Sequence, residues 1–126
     1  MKQEESRYNR GLASMRAIFG PGIESSLKDL AATSPDLARF LVEFPFADIY
    51  PRPGLDLKTR EMLTVAALTV LGYPQSELKE HIQGALNVGC TRDEILEIIL
   101  QMAVYAGFPS ALEAVKTAAS VFGEKQ

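Results

Sequence analysis

The chain holds a single histidine, His81, which stands at helical spacing from Leu78, Ile82 and Ala85. Its imidazole therefore looks onto apolar neighbours rather than bulk water. A side chain that titrates near neutrality in such a place is either a core histidine satisfied by one hydrogen bond or a general acid–base. Twenty residues earlier, Glu61 falls in line with Leu57, Val65 and Leu68, so a carboxylate interrupts an apolar stripe. An ionised carboxylate buried without a partner is strongly unfavourable, and a partner is expected close by. The turn around Gly72 and Pro74 joins the two helices into a hairpin, with Glu61 eleven residues before Gly72 and His81 seven after Pro74. At roughly 1.5 Å per residue the two Cα levels differ by about 6 Å, which two long side chains can bridge. The carboxylate would then orient the imidazole for proton transfer; the plain alternative is a structural ion pair.

Two further positions come from a conspicuous connector. Residues 50–55 read Tyr-Pro-Arg-Pro-Gly-Leu, and the prolines on either side of Arg52 make this segment extended or turn-like. It is either a plain interhelical loop or a rigid arm that presents Tyr50 and Arg52 to a pocket or a neighbouring subunit. Arg60, next to Glu61, points to a different helix face, as a solvated charge or an anion clamp. Lys58 reads as solvated. Cys90 lies between Gly89 and Thr91 at a helix N-terminus, where a thiol can be acidified. With no second cysteine to resolve an oxidised form, it reads as a buried structural thiol.

The elements that must place these residues are all helical, seven segments separated by Pro and Gly rather than by strand signals. The first spans about 4–19 and stops at Gly20-Pro21-Gly22; the second spans about 23–32. Ser34 suits an N-cap and Pro35 a first helical position for the third, which runs to Pro45. Asp56 caps the fourth, about 57–72, and the fifth covers about 75–88 with Gly89 at its C′ position. Thr91 to Glu94 form a capping box that opens the sixth, to about Ala106. Gly107 and Pro109 precede the seventh, about 110–122. The short linkers predict one compact all-α domain over residues 1–126. Helices four and six are apolar around most of their circumference, so they are either both central or buried against a second copy, and oligomerisation is the favoured reading.

Composition bounds the rest. A 126-residue chain that is 47% hydrophobic can bury a core without disulfides or metals. A net charge of −3, with no basic block, argues against a nucleic-acid partner. No apolar run reaches the roughly 18 residues that a membrane span needs. The polar start MKQEESRYNR shows no signal-peptide pattern. With one cysteine in the chain, a cytoplasmic protein is expected.

The stretch PGLDLKTREMLTVAALTVLG, followed by ELKEHIQGALNVGCTRDEILEIILQMAVYAGFPSALEAV, resembles the carboxymuconolactone decarboxylase family of the alkyl hydroperoxidase D-like superfamily. The likeness covers Pro53 to about Val121, and PDLARFLVEFPFADIYPRPG extends it upstream. The resemblance implies an all-α fold and a homohexamer built as a trimer of dimers, with sites near subunit interfaces. It implies a cofactor-free decarboxylation of 4-carboxymuconolactone to 3-oxoadipate enol-lactone, a step of protocatechuate breakdown. The superfamily's peroxidases instead need a Cys-x-x-Cys pair shortly before the histidine. Here that segment reads Gly72-Tyr73-Pro74-Gln75-Ser76, and Cys90 lies nine residues beyond His81. Disulfide-based peroxidase chemistry needs two thiols, so the resemblance points away from it. Matched to the family, His81 is the proton donor or enolate stabiliser and Glu61 its orienting partner. Arg52 (or Arg60) would hold a substrate carboxylate and Tyr50 donate a hydrogen bond, roles inferred from their positions in the chain. Two other readings stand beside this one: an acid–base enzyme for another small lactone or oxo-acid, and an oligomeric ligand-binding or scaffold protein of the same fold without turnover.

Overall fold

The structure is a computed structural model that describes residues 5–123. Among these there is no strand. The order is α1 (Arg7–Phe19), α2 (Ile23–Thr33), α3 (Pro35–Leu41), a π-helix (Val42–Ile49), α4 (Leu57–Leu71), α5 (Gln75–Asn87), α6 (Arg92–Ala106) and α7 (Phe108–Phe122). No helix among the described residues is long and apolar enough to cross a membrane. The chain divides into two compact units, one through Leu57 and one from Lys58.

Most boundaries lie where the capping residues put them. Ser34 accepts a hydrogen bond from the Leu37 amide at 3.3 Å, with Pro35 in the first turn of α3. α1 begins later than expected, because Ser6 caps it through the Asn9 amide at 3.0 Å; residue 4 lies outside the described residues. α7 begins two residues early: Phe108 and Pro109 belong to its first turn, where proline's missing N–H costs nothing. The larger departure is at Pro45, where the third helix was expected to end. The chain winds on through it as a π-helix, closed by the Tyr50 amide on the Pro45 carbonyl at 2.8 Å. The wider i→i+5 turn makes room for a ring that would collide with the carbonyl four residues back in an α-helix.

In the first unit α1 packs on the π-helix, with Met15, Ile18, Val42 and Phe46 buried. Gly11 makes that approach possible, since a Cβ there would overlap the Val42 carbonyl oxygen. Gly11→Ala is therefore expected to force the two helices apart, at a cost of about 1–3 kcal/mol or more. Urea unfolding measures it, and an unchanged midpoint would refute the close packing.

The second unit has its core among Val65, Leu78, Ile82, Ala85, Ile95 and Ile99, with Ala111, Ala114 and Ala118 as the small inner face of α7. α5 ends in a Schellman motif: Gly89 takes φ +108°, Cys90 N–H donates to the Ala85 carbonyl at 2.9 Å and Gly89 N–H to Leu86 at 3.2 Å. The capping box of α6 is fully formed, with bonds of 2.8 and 3.0 Å between Thr91 and Glu94. Both apolar helices turn only one face inward. α4 buries Glu61, Val65 and Thr69 but exposes Leu63, Val70 and Leu71; α6 buries Ile95 and Ile99 but exposes Leu100, Val104 and Tyr105. Neither helix is enclosed by its own chain, so of the two ways to bury them the first is not what the structure adopts.

Candidate active site

α4 and α5 run on either side of the turn at Gly72, where the chain takes φ +78°. Gln75 braces that turn, donating to the Gly72 carbonyl at 2.7 Å and accepting from the Thr117 hydroxyl of α7 at 2.6 Å. The hairpin brings Glu61 and His81 face to face, and His81 Nδ1 lies 2.8 Å from Glu61 Oε2. Glu61 is completely buried and His81 is 9% exposed. Around them Val65, Leu78, Ile82 and Ala85 are all at 0%. Two residues far apart in sequence thus form one polar unit in an apolar hairpin, as their spacing predicts.

Where Glu61 is ionised its oxygens only accept, and the 2.8 Å contact then has Nδ1 donating to Oε2. The other nitrogen, Nε2, is then an acceptor in the neutral ring and a donor in the imidazolium. Glu61 Oε1 has no hydrogen-bond partner among the described residues. Among the described residues His81 is the hydrogen-bond partner of the Glu61 carboxyl. Alongside, Glu80 has its carboxyl pushed up by partial burial and by Glu77 one turn before, an effect that the nearby His81 opposes.

Arg60 is half-buried on α4, and its carbonyl accepts the Thr64 hydroxyl at 2.9 Å. Lys58, expected to be solvated, instead pairs with Glu94 at 3.1 Å. That contact and the hydrogen bond to the Thr91 amide hold the Glu94 carboxyl below its usual range, the Thr91 bond being the larger cause. Cys90 is 5% exposed, with its sulfur 3.9 Å from the Lys58 carbonyl.

Tyr50 and Arg52 lie in the first unit, on the turn-like connector expected there. The Tyr50 ring stacks on Phe46 at 4.8 Å, and Phe46 meets Phe19 edge-on at 5.7 Å, so the phenol is carried on an aromatic ladder. Both residues line a cavity of about 550 Å³ whose opposite wall is Ala13, Ser14 and Ala17 of α1. Ser14 escaped the sequence reading. Its one signal is a hydroxyl next to Ala13 and one turn before Ala17 on an otherwise ordinary helix.

The hairpin carries a buried carboxylate–imidazole pair, and the sequence places no cysteine ahead of the histidine. Residues 35–120 match the Carboxymuconolactone decarboxylase family, and the chain belongs to it. It is 35% identical over 120 residues to a 4-carboxymuconolactone decarboxylase of Acinetobacter baylyi, covering 94% of this chain and 89% of that protein. It is 32% identical over 108 residues to a nitrosuccinic acid decarboxylase of Metarhizium robertsii, covering 85% of this chain and 75% of that one.

Proposed function

We propose that the protein is a cofactor-independent carboxy-lyase whose substrate is 4-carboxymuconolactone or a closely related small lactone or oxo-acid. The observation that carries this reading is the 2.8 Å bond between His81 and the fully buried Glu61, in a chain similar to two proteins named as decarboxylases. In 4-carboxymuconolactone the carboxyl-bearing ring carbon is attached to the ring alkene, which is itself conjugated with the lactone carbonyl. Breaking the C–COO⁻ bond sends its electron pair into that system as a dienolate, with negative charge on the carbonyl oxygen. No external electron sink is needed. A proton delivered to the carbon next to the carbonyl completes 3-oxoadipate enol-lactone, and carbon dioxide leaves.

His81 supplies that proton from Nε2 or donates a hydrogen bond to the dienolate oxygen, while Glu61 holds the ring and stabilises the imidazolium. Arg52 is assigned to a substrate carboxylate and Tyr50 to a hydrogen bond; Arg60 is the second choice for the anion. Incubating the purified chain with 4-carboxymuconolactone tests the assignment. Stoichiometric carbon dioxide and enol-lactone are expected, and no turnover of this or related lactones would overturn it in favour of a non-catalytic binding protein.

The active form we propose is an assembly of identical chains, a homohexamer arranged as a trimer of dimers. Val104 and Tyr105 of α6 and Phe108 of α7 are 78%, 75% and 73% exposed, and a second copy offers the apolar surface to cover them. Light scattering at micromolar concentration is expected to give a multiple of the chain's 13.8 kDa; a 13.8 kDa particle would remove the proposal.

A further inference from the structure

We infer that the carboxylate contact proposed for Arg52 lies in the cavity of the first unit between α1 and the Tyr50–Leu57 connector, which takes a small carboxylate with an apolar body, with Ser14 as a second polar contact. The space exists because α1 presents Ala13, Ser14 and Ala17 to it, three small side chains within little more than one turn. Larger residues there would narrow the roughly 550 Å³ space. Facing them, Pro51 and Pro53 fix the backbone on both sides of Arg52. The connector is thus held stiff, and its position costs little conformational entropy when a ligand is bound. Tyr50 is held from behind by its stack on Phe46, which is itself 96% buried.

The chemistry of the wall selects the ligand. Alanines 13 and 17 with Leu55 and Leu57 offer apolar surface to a ring or short chain. The Arg52 guanidinium presents a planar fork suited to a carboxylate, and the Ser14 hydroxyl can donate to its second oxygen. The inference rests on the reading of Arg52 as a carboxylate contact, and it does not require turnover at His81.

Benzoate, an apolar ring with one carboxylate, is the probe, added to the full chain and followed by two-dimensional amide NMR. Shifts are expected at Ala13, Ser14, Ala17 and Arg52. Methyl benzoate, which lacks the charge, should bind at least about tenfold more weakly, as one lost charge-assisted hydrogen bond implies. Arg52→Gln, at an exposed position, should weaken benzoate by a similar factor, and Ser14→Leu, which removes the hydroxyl and narrows the space at α1, should weaken it as well. Absence of shifts at α1, or binding that neither substitution weakens, would overturn the inference. A chain that binds benzoate here but releases no carbon dioxide from any lactone would keep this site and lose the proposed reaction; turnover without benzoate binding would do the reverse.

Discussion

His81→Gln is expected to lower decarboxylation by about 10²–10⁴-fold while leaving the fold intact, the range that positioned acid–base groups contribute. Glutamine can still donate an amide N–H to Glu61 Oε2, so the buried carboxylate keeps a partner, yet an amide neither takes up nor releases a proton near neutrality. The loss should fall on kcat rather than KM, because the imidazole acts when charge develops. Glu61→Gln should give a smaller loss. The ring retains its place against an isosteric side chain, but the amide does not stabilise the imidazolium and can select the wrong tautomer. Carbon dioxide release under saturating substrate reads both effects. Full activity in His81→Gln would remove the imidazole from the reaction and leave the pair a structural feature.

What the sequence disclosed about this site, and what it hid, has a physical division. The Glu61–His81 meeting was legible because helical rise and a short Gly-Pro turn set axial levels to within about one helical turn, and because a carboxylate on an apolar stripe demands a partner. The caps were equally plain: Ser34 and the Thr91–Glu94 box are local hydrogen-bond arrangements, and residues a few positions apart decide them. The course of the chain through Pro45 was not legible. A proline ends an α-helix locally, and only the packing of Val42 and Phe46 against α1 favours the wider turn that tolerates it. The cavity beside Arg52 was hidden for a related reason. Ala13, Ser14 and Ala17 are ordinary helical residues until the connector lies opposite them. Lys58 read as solvated because its partner Glu94 is thirty-six residues away and is fixed there by its own capping role.

Stability distinguishes a catalytic pair from a structural one more sharply than activity alone. His81→Leu removes the partner of Glu61 Oε2 when Oε1 already lacks one, so a buried carboxylate is left uncompensated. The expected cost is about 3–5 kcal/mol, a fall of roughly 10–20 °C in Tm. Glu61→Leu should cost less, about 1–3 kcal/mol, because it strands a neutral N–H rather than a charge. The double variant Glu61→Leu/His81→Leu should recover most of that stability, since leucines suit the surrounding Val65, Leu78, Ile82 and Ala85 and a well-packed apolar pair often equals or exceeds a buried ion pair. Denaturation curves for the four proteins make the cycle. If His81→Leu proves no worse than Glu61→Leu, or if the double variant is as unstable as the worse single, the buried charge is not what links the two residues. A double variant that folds well yet releases no carbon dioxide would mean that the fold has no need of this pair. The desolvation cost of keeping Glu61 beneath His81 is then borne for the sake of the reaction.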